Sequence, residues 1–387
     1  MRRIALLTIT LILTLIPLTA CTSAPIVLQL PPPDGAGGLQ GDIHIGMVVP
    51  LSGPIAGLGN AMKNSAEMAQ QEINAAQLGS ARIQFVVEDS AGTPEVAVAA
   101  FEKLIAEGEV VAILGPATSA SAAAAFPIAQ EAGMVALSPV AGAAGLSEIG
   151  DFVFQGNLTV DVVVPGGVAA TQAALGYTSA AILVDELDLF SQSALEILEQ
   201  TFADNGVEIV AIENFKTGDT DFSAQFERVL AAAPDTIFVA SLPAEAAAIL
   251  INAREVGVPA EIPFILPLAL SNAEVAQAGE AAEGAITFST WDIAANTPGN
   301  QAYVQRYRET YGSDPNRFGA QWHASMTVLA AAIRQAGSLE STAIRDALLN
   351  LGSVETILGT ITFDETGSAV YDPIIQIVRD GALVPFE

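Results

Sequence analysis

Short apolar runs and stretches of helical spacing take turns along most of this 387-residue chain, and that alternation fixes its fold class. Ile43–Val49, Arg82–Val87, Val110–Leu114, Met134–Leu137, Ala180–Val184, Glu208–Ile212, Thr236–Ala240 and Phe264–Leu266 read as strands. Between them, Ala61–Ala75, Pro94–Glu107, Ser119–Glu131, Asp161–Leu175, Ser191–Asn205, Phe222–Ala232 and Ala244–Val256 read as helices; Met62, Ala66, Ala69 and Ile73, for example, fall on one helical face. Strands this apolar need cover on both faces, which a parallel sheet flanked by helices provides. Strict strand–helix alternation with short loops implies doubly wound α/β architecture. About ten such units exceed what one open sheet holds, so two sheets are expected. The alternation stops near the end. There Gln301–Tyr311, Arg317–Gln335 and Ser341–Leu349 read as helices, followed by strands at Thr360–Phe363 and Ile374–Val378.

The first twenty residues read as an export signal. Arg2 and Arg3 precede an apolar run from Ile4 to Leu15, and small residues follow to Ala20. The run is shorter than the ~20 residues that span a bilayer. Leu18-Thr19-Ala20-Cys21 resembles the bacterial lipobox, in which the cysteine is diacylated and becomes the mature N-terminus. Residues 21–41 then carry Pro31-Pro32-Pro33 and Gly35, Gly37 and Gly38, the composition of a tether. A folded body is expected from Asp42, with no second membrane anchor.

Composition excludes several classes. With 43 Asp+Glu against 14 Lys+Arg, the formal net charge is −29, a balance that repels a polyanion and excludes nucleic acid as partner. Charged residues make up 15% and hydrophobic ones 51%, which excludes a disordered chain. One Cys and two His leave neither a disulfide framework nor a His/Cys metal cluster. No Walker lysine and no G-x-S-x-G elbow occurs, so no catalytic residue, metal or cofactor is assigned. His44 and His323 read as surface or packing histidines. Glu88-Asp89, Asp185-Glu186 and Asp188 follow strands, where carboxylates either bind a ligand or cap the next helix. Trp291 fits core packing and ligand contact equally.

Two loops are physically open. Gly115–Ser121 leads from a strand into a helix whose first turn is small and hydroxylated, so free N–H groups and the helix dipole favour an anion by ~0.3–2 kcal/mol. Ordinary capping by Thr118 or Ser119 explains the same residues. Ser138-Pro139-Val140-Ala141-Gly142-Ala143 follows the next strand with no bulky side chain.

Several segments, taken in order, resemble one family. Ile45-Gly46-Met47-Val48-Val49-Pro50-Leu51-Ser52-Gly53-Pro54 is similar to the opening of the leucine/isoleucine/valine-type substrate-binding proteins of ABC importers. Glu72-Ile73-Asn74-Ala75, Val87-Glu88-Asp89, Gly115–Ser121, Ser138-Pro139, Gly218–Ser223, Tyr307–Gly312 and Phe363–Gly367 continue the resemblance across the whole body. It implies a type I periplasmic-binding-protein architecture: two doubly wound parallel-sheet lobes joined by a three-stranded hinge. Lobe 1 is expected at 42–157 plus 290–361 and lobe 2 at 158–289 plus 362–387, with crossings near Gln155–Asp161, Thr287–Trp291 and Ile361–Glu365. It further implies a monomeric, exported receptor, lipid-anchored at Cys21 at the cell surface or in the periplasm. Such a receptor clamps a small molecule and delivers it to permease and ATPase subunits. A sensor that reports the ligand to a signalling partner is the alternative.

Departures from the family pattern concern the ligand. The resemblance puts the ligand carboxylate at Ser119, beside Ala117, Thr118 and Ala120, and the ligand ammonium near Val140, the Ala141 carbonyl and Gly142. Gly142 stands where a threonine is usual, and Leu268 where an acid is usual. Leu58, Phe190 and Leu242 replace frequent tyrosines. A buried ammonium without counter-charge costs several kcal/mol, against about −8 kcal/mol for a micromolar complex. An apolar carboxylate or amide therefore suits the site better than an amino acid, unless Asp185 or Asp188 supplies the missing acid.

Overall fold

The computed structural model describes residues 38–76, 78 and 80–387. The expected leader, Cys21 and most of the expected tether lie outside them. The first sheet comprises β1 (Gln40–Val49), β2 (Ser80–Asp89), β3 (Ala112–Leu114), β4 (Ala136–Ser138) and β5 (Val153–Gln155). Its order is β2-β1-β3-β4-β5, parallel throughout. Side-chain alternation sends Ile45, Met47 and Leu114 to one buried face and Val48, Ile113 and Ala136 to the other. Helices α1 (Ala56–Ala76), α2 (Pro94–Glu107) and α3 (Ser119–Ala132) connect these strands. Local chemistry sets their ends: Thr93 caps α2 ahead of Pro94, whose missing N–H would be orphaned there anyway, and left-handed Gly108 stops it.

The chain then leaves Gln155, enters α4 (Val160–Leu175) and repeats the pattern: β6 (Ser179–Asp185), α5 (Leu189–Asn205), β7 (Glu208–Phe215), α6 (Ser223–Ala232), β8 (Thr236–Ala240), α7 (Pro243–Val256), β9 (Phe264–Ile265), α8 (Asn272–Ala278) and β10 (Ile286–Ser289). These strands lie in the order β7-β6-β8-β9-β10, which is the order of the first sheet over again. After β10 the chain returns to the first lobe as α9 (Asn300–Tyr311), α10 (Arg317–Ala336), α11 (Ser341–Leu349), β11 (Val354–Thr356), β12 (Gly359–Phe363) and β13 (Ala369–Val370). Tyr303 of α9 bonds Ser65 of α1 through their hydroxyls at 2.9 Å, and the Ser341 hydroxyl accepts the Val135 N–H at 2.8 Å. Finally β14 (Ile374–Arg379) adds antiparallel to β10 and β15 (Ala382–Pro385) antiparallel to β14, so the second sheet is mixed rather than purely parallel.

The architecture is thus α/β with two doubly wound lobes, and it departs from expectation in detail. Three-residue β5 and two-residue β13 are too short to display a period, and α8, β11 and β15 were not foreseen. Thr287 is a paired residue inside β10, opposite Gln376, so the second crossing begins after Ser289. The third crossing also comes later than Ile361–Glu365. Ser368 bridges Gln155 of β5, Gly367 accepts the Gln155 N–H at 3.0 Å, and Phe363 packs edge-on against Phe154 at 5.6 Å. These contacts keep the segment on the first sheet until residues 371–373. No helix among the described residues is long and apolar enough to cross a membrane.

Candidate ligand-binding cleft

In a doubly wound sheet, loops leaving the strand C-termini diverge where the strand order reverses, and a crevice opens there. The reversal lies between β1 and β3 in one sheet and between β6 and β8 in the other. Loops from these four strands converge on one cavity: Ile55 and Leu58 follow β1, Ala117, Thr118 and Ser119 follow β3, Phe190 follows β6, and Leu242 and Pro243 follow β8. Val140, Gly142, Asn157, Leu268, Met62, Arg317 and Phe318 complete its wall. Its atom-free space is about 580 Å³ with the open mouth included.

Nine of the eleven residues singled out from the sequence line this cavity: Leu58, Ala117, Thr118, Ser119, Val140, Gly142, Phe190, Leu242 and Leu268. Ala120 and Ala141 do not. Ala141 is buried in the second loop, where its carbonyl accepts the Gln155 side-chain amide at 3.1 Å and is not presented to the cavity.

The polar end of the cavity is built by the loops after β3 and β4. Gly115, at φ +123°, lets the first loop pass so close to β1 that a Cβ would stand 2.3 Å from the Val48 carbonyl oxygen. Thr118 caps α3, its hydroxyl accepting the Ser121 N–H at 3.2 Å. Ser119 and Ala120, at the first two positions of α3, have no intrahelical acceptor for their N–H groups. The Ser119 hydroxyl oxygen accepts the N–H groups of Gly142 and Ala143, both at 3.2 Å. Two acceptor sites are filled, and the hydroxyl proton remains to be donated. Gly142 has little room around it: a Cβ there would lie 3.2 Å from both the Asn157 amide nitrogen and the Phe190 ring of the opposite lobe. A side chain at position 142 and the Phe190 ring across the cleft would compete for the same space.

The acids expected as substitutes do not serve the cavity. Asp185 is fully buried and accepts from the Thr217 hydroxyl at 2.5 Å, the Thr217 N–H at 3.1 Å and the Leu187 N–H at 2.9 Å. Asp188 caps α5, accepting the Ser191 N–H and hydroxyl at 2.8 Å each. Neither lines the cavity, and no aspartate or glutamate does. Burial pushes the Asp188 carboxyl up from its ordinary value. Glu245 behaves alike: burial first, then the negative charges of Asp185 and Asp188, raise its carboxyl, which accepts the Gly218 N–H at 3.0 Å.

Sequence reading missed the one charged group in the wall. Arg317 opens α10 at 4% exposure. It donates from Nη2 to the Leu268 carbonyl of the opposite lobe, its guanidinium lies 4.0 Å over the Phe318 ring, and its buried Nε has no partner in the protein. None of the ion pairs among the described residues includes it. Burial lowers its pKa to about 10, with Glu274 and Tyr371 acting the other way, so it stays charged at neutral pH. Its signal was in the sequence: a cation in the first turn of a helix opposes the dipole and needs another reason to be there. Asn157 was also missed; it donates to the Val140 carbonyl at 3.1 Å and accepts from Gln321.

Other candidates resolve as structure. Asp89 accepts three N–H groups from Leu51, Ser52 and Ala91, and Glu88 pairs with Lys103 at 2.6 Å. Trp291 donates to Asn300 at 2.7 Å and packs edge-on to Tyr303, outside the cleft. His323 is buried against Glu72 at 3.0 Å.

A family model described as periplasmic binding protein matches residues 42–381. The leucine-, isoleucine-, valine-, threonine- and alanine-binding protein of Pseudomonas aeruginosa is 27% identical over 329 residues, covering 84% of this chain and 86% of its own. Among solved structures, the branched-chain amino acid transporter substrate-binding protein of Streptococcus pneumoniae in complex with isoleucine is 27% identical, with a TM-score of 0.80 over 88% of this chain and 97% of that one. A leucine binding protein of Thermotoga maritima has a TM-score of 0.83 at 24% identity, over 89% and 98%.

Proposed function

The chain belongs to the periplasmic binding protein family, and from that premise we propose that it is the extracytoplasmic solute-binding receptor of an ABC importer. It is exported, lipidated at Cys21, and holds its cleft away from the membrane on the Pro/Gly tether. The lobes are residues 42–157 with 290–370 and residues 158–289 with 371–387, closing about the three crossings as a hinge. Permease and ATPase subunits read the closed form. The work is binding, so no reacting group is required.

The observation that carries this reading is the cavity enclosed by loops from the facing switch points of two sheets. One end offers the Ser119 proton and the free N–H groups of α3; the rest is the apolar surface of Leu58, Met62, Phe190, Leu242 and Leu268. That pattern suits a small ligand with an acceptor at one end and a hydrophobic body: an apolar carboxylate or amide. An aliphatic amino acid is the second reading, favoured by the name of the Pseudomonas relative.

Denaturing the purified full chain and analysing the released small molecules by mass spectrometry tests the proposal. One compound with an apolar body, in near-stoichiometric amount, is expected, and adding it back raises the melting temperature. No released compound, together with no thermal shift across apolar acids, amides and aliphatic amino acids, contradicts it.

A further inference from the structure

Resting on that reading of the cleft, we infer that Arg317 is the residue that sets its charge specificity: the ligand is an apolar carboxylate lacking an α-ammonium group. A buried guanidinium needs an anion or a full set of acceptors, because burial strips it of water. Arg317 has one carbonyl, that of Leu268, and one aromatic face, that of Phe318. Its Nε is buried and unpartnered. Glu274, the carboxylate whose field reaches it, is engaged in capping α8, accepting the Ser271 N–H at 2.8 Å and hydroxyl at 2.5 Å. Asp292 lines a separate cavity on the other side of Arg317, and its Oδ1 accepts the Ala294 N–H at 2.8 Å. The cation therefore lines the cleft without a carboxylate partner among the described residues.

A carboxylate in the cavity meets two kinds of donor: Ser119 with the α3 N–H groups, and the guanidinium fork. Charge-assisted bonds of this type are shorter and roughly twice as strong as neutral ones. An α-amino acid brings an ammonium into the same space, where Arg317 repels it and no carboxylate receives it. The Leu268 carbonyl, the one acceptor beside the guanidinium that the hydrogen bonds identify, already takes the Arg317 proton. Arg317 also joins the first turn of α10 in one lobe to the loop after β9 in the other, so neutralising it strengthens the closed form.

Three probes with one carbon skeleton separate the charges: 4-methylpentanoate, 4-methylpentanamide and leucine. Titration calorimetry on the full chain in mild detergent is expected to show 4-methylpentanoate binding about 10- to 100-fold tighter than either of the others. Arg317→Met removes that preference, bringing the carboxylate and amide affinities to within about threefold of each other, and Arg317→Lys retains part of it. Leucine binding as tightly as 4-methylpentanoate overturns the inference, as does an undiminished carboxylate preference in Arg317→Met. Wild-type selectivity decides the matter even if the variants fail to fold. A released natural compound without an acidic group also overturns it, while leaving the clamp intact; no binding by any probe or released compound removes the clamp itself.

Discussion

The two lobes run their parallel strands in the same order and present three equivalent loops each to the cleft, after β1, β3 and β4 and after β6, β8 and β9, yet the chemistry at those loops is opposite. In the first lobe the wall is polar where it matters: Thr118 and Ser119 at the start of α3, and Arg317 at the start of α10. In the second lobe it is Phe190, Leu242, Pro243 and Leu268, all apolar, while the acids of the same loops are turned to internal use. One topology thus supplies both a grip and a cover. The difference lies in which side chains the loops spend on themselves: Asp185 and Asp188 hold their own turns, whereas Ser119 accepts two N–H groups and still has a proton to give.

The largest effect that would break this division is on the cover. Phe190 is 7% exposed, packs in the core that runs between lobes, and lies against Gly142. Phe190→Ala removes a buried ring and is expected to cost about 3 kcal/mol in urea unfolding, with a weaker ligand complex by roughly tenfold. Unchanged affinity would mean that the second lobe does not close over the ligand.

On the gripping side, Ser119→Ala leaves the Gly142 and Ala143 N–H groups without their acceptor as well as deleting the proton for the ligand. A loss of roughly 2–4 kcal/mol is expected in the same assay, since each orphaned buried donor costs about 1–3 kcal/mol. Ser119→Cys or Ser119→Thr, which keep an acceptor, should recover part of it. Equal stability of Ser119→Ala and wild type would contradict the described loop-to-loop bonding.

The smallest effect separates the lobes by pH. Burial raises the Glu245 carboxyl above its ordinary 4.5, so in the second lobe the ionised form is penalised. The folded state binds the extra proton, and stability is fullest below 4.5 and falls as pH rises through the raised value. Glu72 of α1 is the reverse case. Its burial is outweighed by His323 and by Arg306, at 3.0 Å each, which together lower its pKa. Its contribution is present above 4.5 and is lost as pH falls. Melting curves from pH 4.5 to 7 should therefore show Glu245→Gln gaining on wild type as pH rises, by about 1 kcal/mol at most. A constant offset across that range would contradict the burial of an ionisable Glu245.

Much of this was legible in the sequence because apolar strands and alanine-rich helices announce themselves by period. Pro94–Glu107, Thr236–Ala240 and Ser341–Leu349 stand at the bounds expected of them. What failed is what has no period. Val153–Gln155 is a strand of three residues, and the expected crossing at Thr287–Trp291 overlaps the strand Ile286–Ser289, to which its neighbours give no contrast. Leu268 reached the cavity by resemblance alone. It adopts φ +57°, a conformation that nothing about a leucine predicts. Arg317 was hidden differently, inside a correctly placed helix, since a helical pattern says nothing about which first-turn residue points across a cleft.

A crystal structure of the full chain with 4-methylpentanoate tests the central claim most directly. The carboxylate is expected against Ser119, the first turn of α3 and Arg317, with the branched end beneath Phe190, Leu242 and Leu268. A ligand seated outside the cleft, or reversed so that its acid meets the second lobe and its hydrocarbon the first, would contradict it.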